Sequence, residues 1–138
     1  MALSADRATS MRGIDPKVTP DKAAANTTIY LGSLVGRDDD TGLCLPATDD
    51  ADAGDLAGVA LSHVTADGLS DTPKVIIAQG GDFLFDTSDT FSQALIGTAR
   101  YVSDDHTTKA SGNVQCGVAV APFVDTSHCF VRIDGYAK

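Results

Sequence analysis

The chain has 138 residues and a formal net charge of −9, with 10 Lys and Arg against 19 acids, every one of them Asp. That length suits one domain and one core, and 43% apolar residues at a mean hydropathy of zero exclude a wholly disordered chain. No run approaches the roughly 20 apolar residues of a membrane helix, and the acidic balance lacks the clustered cations that track phosphates, so neither a membrane nor nucleic acid is an expected partner.

Residues 1–26 read as an extended N-terminal arm, with residues 27–138 as a single β-barrel domain. The arm holds Pro16 and Pro20 and few large apolar residues, Leu3, Met11, Ile14 and Val18. Its charge is +1, which leaves −10 on the body. Such a segment cannot offset its own ordering entropy, and Pro16 and Pro20 are expected to block regular pairing, so it orders only on a partner. Met1 to Ile14 shows no apolar signal region, and synthesis in the cytoplasm is expected.

From Thr27 on, apolar runs alternate with Gly- and Asp-rich punctuation. Asp competes for its own backbone in turns, and there is no Glu and no Trp beside 13 Gly. The expected fold class is therefore all-β, a small antiparallel β-barrel or sandwich with at most one short helix. Strands are expected over 28–35, 42–45, 56–64, 74–78, 82–85, 100–103, 114–121 and 128–133. Period-two spacing puts Val114, Cys116, Val118 and Val120 on one buried face, and Cys129, Val131 and Ile133 on another. A two-turn helix is expected where Ser88 or Asp89 caps a segment with Phe91, Ala94 and Leu95 on one face, ending at Gly97. An internal echo links Ala57-Gly58-Val59-Ala60-Leu61 with Cys116-Gly117-Val118-Ala119-Val120, each following a strand with a tyrosine, Tyr30 or Tyr101; two copies of one unit would suit a closed barrel.

Few residue groupings in the sequence have the spacing that chemistry requires. Cys44, Cys116 and Cys129 show no CxxC spacing and read as reduced core residues. His63, His106 and His128 lack paired ligand spacing, and adjacent His128 and Cys129 point to opposite strand faces. The loops with Asp38, Asp39 and Asp40 and with Asp49, Asp50, Asp52 and Asp55 miss the EF-hand register, because Gly54 falls one place early and no Glu exists. Asp104-Asp105-His106 and Ser127-His128-Cys129 contain the residue types of a triad, without a nucleophile elbow or a phosphate loop. No enzyme, cofactor or metal is expected.

The succession Gly58-Val59-Ala60-Leu61, Gly81-Asp82-Phe83-Leu84-Phe85, Ile96-Gly97-Thr98-Ala99-Arg100-Tyr101-Val102-Ser103-Asp104-Asp105, Cys116-Gly117-Val118-Ala119-Val120 and Phe130-Val131-Arg132-Ile133-Asp134-Gly135 resembles the head decoration, or capsid cement, proteins of tailed bacteriophages. The resemblance spans about residues 28–136. It implies a small barrel on the outer surface of the assembled head, a homotrimer there that clamps neighbouring major capsid protein subunits and belongs to the virion. The arm, through Arg7, Arg12 and Ile14, is the expected capsid-facing element, with the acidic loops facing outward. The rival expectation is a small-molecule or glycan-binding β module, for which the aromatic platform is thin.

Overall fold

Runs of β-branched and aromatic residues bounded by Gly and Asp form short strands throughout the chain. The computed structural model describes residues 3–6, 11–12, 17–50, 55–66 and 73–134. In chain order the strands are β1 (Met11–Arg12), β2 (Val18–Lys22), β3 (Thr27–Ile29), β4 (Leu34–Arg37), β5 (Cys44–Pro46), β6 (Leu56–Ala60), β7 (Val64–Ala66), β8 (Lys74–Ala78), β9 (Gly80–Thr87), β10 (Ala99–Val102), β11 (Thr107–Lys109), β12 (Gln115–Val120) and β13 (His128–Asp134). The fold is all-β, as expected from composition.

Strands β9, β11, β10, β12 and β13 close into a five-stranded barrel, because β9 pairs antiparallel with β13 and, at Asp86 and Thr87, parallel with β11. The sheet β2-β8-β6-β4-β5 repeats this plan. Val35 faces Gly58 as Arg100 faces Gly117, Val59 faces Ala78 as Val118 faces Arg132, and Val18 faces Ala78 as Asp82 faces Arg132. Even the closing contact recurs: Ala23 meets Cys44 in parallel as Thr87 meets Thr108. The described residues thus form two copies of one five-strand unit, with the added antiparallel pair β3–β7 in the first. The Gly-Val-Ala echo marks equivalent strands, β6 and β12. The tyrosines do not correspond, since Tyr101 stands in β10 whereas Tyr30 precedes β4.

Two hydrophobic clusters replace the single expected core. Ile29, Val35, Cys44, Ala57, Val75 and Ile77 fill the first unit. Phe83, Phe85, Phe91, Cys116, Cys129 and Val131 fill the second, whose cluster continues onto Leu34, Leu56 and Val59 of the first. The outer side of β6 is therefore buried against the second unit.

Several sequence expectations are corrected. The run 28–35 divides into β3 and β4 around a turn with Gly32, and 56–64 divides between β6 and β7. Strands β1, β2 and β11 had no apolar signature. The two-turn helix shrinks to a single 3-10 turn, Gln93–Leu95, capped by Ser92 without a side-chain hydrogen bond, with Phe91 buried ahead of it and Ala94 exposed. Val118 is 37% exposed and Val120 half-buried, while Ala119 is fully buried. The cause is a bulge: Arg100 faces Gly117 but Tyr101 faces Gln115, so Cys116 is an extra residue that inverts the alternation. Ala57 plays the same part in β6, between Val35–Gly58 and Gly36–Leu56.

The bulges bring strands too close for side chains. A Cβ on Gly58 would lie 2.2 Å from the Ala78 carbonyl oxygen, and one on Gly117 would lie 2.0 Å from that of Arg132. Gly117→Ala should therefore cost about 3 kcal/mol or more in urea unfolding. Ala119→Asp should cost as much by burying an unpaired carboxylate, whereas Val118→Asp should stay within about 1 kcal/mol of the parent.

Candidate functional site

Pro20 pairs with Ile76 within β2–β8. It does so without losing a ladder bond. The Gln79 N–H donates to the Lys17 carbonyl and the Ala23 N–H donates to the Pro73 carbonyl, so the odd-numbered residues of β2 hold the bonded positions and Pro20 turns its missing N–H outward. The expectation that Pro20 blocks pairing is thus corrected, and residues 18–22 join the body although they fall inside the expected arm.

This pairing builds a distinctive surface. Val18, Pro20 and Lys22 of β2 and Lys74 and Ile76 of β8 are exposed, and the Leu61 N–H donates to the Ile76 carbonyl, which sets exposed Leu61 beside them. Lys22 stands directly opposite Lys74. Like charges across a strand pair repel, a cost that an anionic neighbour would remove.

The other described cations are committed internally. Arg37 pairs with Asp21 at 2.5 Å, Arg100 with Asp89 at 2.7 Å, Arg132 with Asp82 at 2.8 Å, and Lys109 with Asp49. Lys17, Lys22 and Lys74 form no ion pair among the described residues. Among the described residues, unpaired Lys22 and Lys74 thus stand beside apolar side chains on one face, with Lys17 immediately before β2.

Arg100 deserves its place in the core by its partners. Its side chain is 0% exposed, and it donates to both Asp89 carboxylate oxygens at 3.2 and 2.7 Å and to the Thr108 hydroxyl at 3.4 Å. Its guanidinium also lies 5.5 Å from the Phe91 ring centre. The equivalent residue in the first unit is Val35, so the same barrel position accepts either an aliphatic side chain or a fully partnered cation. Cys44, Cys116 and Cys129 are free and buried, as read from sequence; burial pushes the Cys44 and Cys116 thiols up to about 12, far from reactive thiolates.

The residue types weighed for catalysis meet at the closure of the second barrel. Asp86 stands opposite both His128 and Thr107. Its carboxylate lies 3.1 Å from His106 Nδ1 and 3.2 Å from His128 Nε2. Asp104 lies 3.5 Å from His106 Nε2, and Asp125 lies 2.9 Å from His128 Nδ1. Both nitrogens of each ring therefore face carboxylates of the same cluster. Asp104, Asp105 and His106, grouped already in the sequence, bring one ligand atom each within 4.8 Å of the others. Asp105 is buried and accepts the Leu3 N–H, while Asp104 accepts the His106 N–H. These contacts tie the barrel shut, and Ser127 joins them only through its backbone, to Asp125. Among the acidic loops, Asp38 accepts the N–H groups of Asp40 and Thr41, which closes its own turn.

Arg7 and Ile14 lie outside the described residues, as does the side chain of Arg12. The backbone of Arg12 pairs with Asp82 at the edge of β9.

Acid should weaken the protein through these contacts. The Arg100 guanidinium holds the Asp89 carboxyl below its ordinary 3.8, and hydrogen bonds do the same for Asp38, Asp49 and Asp125. Groups with depressed folded values stabilise above the ordinary carboxylate range, and that stability is lost as pH falls through the folded values. Burial raises Asp105, so its protonation works the other way for one group. Thermal midpoints should fall below about pH 4, and Asp89→Asn should cost about 2 kcal/mol at pH 7, because Arg100 stays buried without its partner. EDTA should move the midpoint by no more than about 2 °C, since the carboxylates and imidazoles already satisfy one another. No family model matches the chain, and no curated protein matches it significantly.

Proposed function

We propose that the chain is a capsid decoration protein: it binds the outer surface of an assembled bacteriophage head and stabilises contacts between major capsid protein subunits, as a homotrimer on the shell. The observation that carries this reading is the β2–β8 face. Exposed Val18, Ile76 and Leu61 beside Lys17, Lys22 and Lys74 have the make-up of a protein contact, whereas Arg37, Arg100, Lys109 and Arg132, the other Lys and Arg side chains among the described residues, are each paired with an aspartate. The motif resemblance supports the same reading. So does the closed His–Asp cluster, whose groups face one another, in keeping with a binding role without catalysis.

The mechanism is mass action. A protein that binds the assembled shell and not its free subunits shifts the equilibrium toward the shell, and many copies multiply a modest affinity per copy. In this reading Arg7, Arg12 and Ile14 of the N-terminal segment add a second anchor beside the β2–β8 face. The strongly acidic outer loops disfavour self-association away from the shell.

Purified protein should cosediment with undecorated heads and raise their disruption temperature, and averaged images should show three-fold clusters of density on the shell. Shells that neither retain the protein nor gain stability would overturn the reading. Isolated single copies would overturn the trimer alone.

A further inference from the structure

Strands β9 and β2 occupy equivalent places in the two units, and their outer edges differ in one respect. On β9 two strands use the edge: Asp86 and Thr87 pair with β11, and Asp82 and Phe83 pair with Arg12 and Met11 of β1. On β2, Ala23 meets Cys44 as the counterpart of the β11 contact. Among the described residues no strand lies against Val18, the counterpart of Asp82.

The ladder parity established above points the Val18 N–H and carbonyl and the Pro20 carbonyl toward that open side. The Lys22 N–H is held by the Asp21 carboxylate. What remains is a short edge able to exchange a pair of backbone bonds at Val18, flanked by exposed Val18, Pro20 and Ile76 and by Lys17, Lys22 and Lys74.

We propose that this edge is a strand-acceptor site that takes an extended acidic segment of the capsid subunit, in the place that β1 takes on β9. The inference rests on the decoration reading for the identity of the partner. Backbone bonds to Val18 supply the pairing, as in other cases where a peptide extends a sheet edge. Carboxylates of the incoming segment reach Lys22 and so relieve its repulsion with Lys74, and its apolar side chains lie beside Val18 and Pro20, with Ile76 one strand further in. The acidic character follows from the three unpaired lysines, which would repel a basic strand.

Val18→Pro tests the backbone contact. It removes an N–H that points away from β8, and Pro20 shows that this pair accepts proline at the same parity. The full-length variant should keep its thermal midpoint within a few degrees and bind heads about tenfold more weakly or worse. Reversing Lys17, Lys22 and Lys74 to Glu should weaken binding at least as much, and added salt should weaken the wild type more than this variant. Heads bound equally by wild type and both variants would overturn the proposal while leaving the decoration reading intact. Should the wild type fail to bind heads, the decoration reading falls and a synthetic peptide of alternating Asp and Val decides the edge. Binding of that peptide by wild type and its loss in both variants support the acceptor site, and no binding by wild type overturns it. If Val18→Pro proves unstable, amide exchange decides: slowed exchange of the wild-type Val18 N–H on the bound peptide supports pairing, and unchanged exchange overturns it.

Discussion

At Gly58 and Gly117 one strand passes so near the carbonyl of its neighbour that any side chain would overlap it, and both barrels depend on these two approaches. Each glycine follows an extra residue, Ala57 or Cys116, that points into its own barrel. The bulge inverts the alternation and sharpens the local twist, which lets so short a sheet curl until its two end strands meet. The residue after each glycine then faces outward. In the first unit that residue is Val59, buried because the second unit packs over it; in the second it is Val118, which is exposed.

Duplication of one unit lets the two copies spend the same positions differently. Val35 and Arg100 are equivalent, as are Cys44 and Thr108, so the first barrel has an apolar filling where the second holds a cation with its full set of partners. The buried guanidinium is tolerable because Asp89, Thr108 and Phe91 answer it together; any one of them alone would leave a desolvated charge. The edges diverge in the same way. The outer side of β9 meets β1 at Asp82 and Phe83, while among the described residues no strand pairs with the matching part of β2 beside Lys17, Lys22 and Lys74. That asymmetry gives the two copies of the repeat different outer edges among the described residues.

Asp without Glu and turn residues between β-branched runs made the all-β class legible, because strand propensity and turn chemistry are local. Strand β8 and much of β9, β10, β12 and β13 were legible for the same reason, as was the burial of the three cysteines. Even the duplication left a trace in Gly-Val-Ala, since the close approach at Gly58 and Gly117 tolerates no other residue. The rest was decided by pairing between residues far apart in sequence. Val118 and Ala119 exchange roles because Arg100 falls opposite Gly117 and Tyr101 opposite Gln115, with Cys116 left over between them, which no periodicity within β12 contains. Val18 to Lys22 carry no strand signature, and Pro20 argues against one; only the register with β8, which turns the proline outward, makes them a strand. The surface at Lys17, Lys22 and Lys74 follows from that register alone, because a sequence shows how many lysines exist but not which of them meet an aspartate.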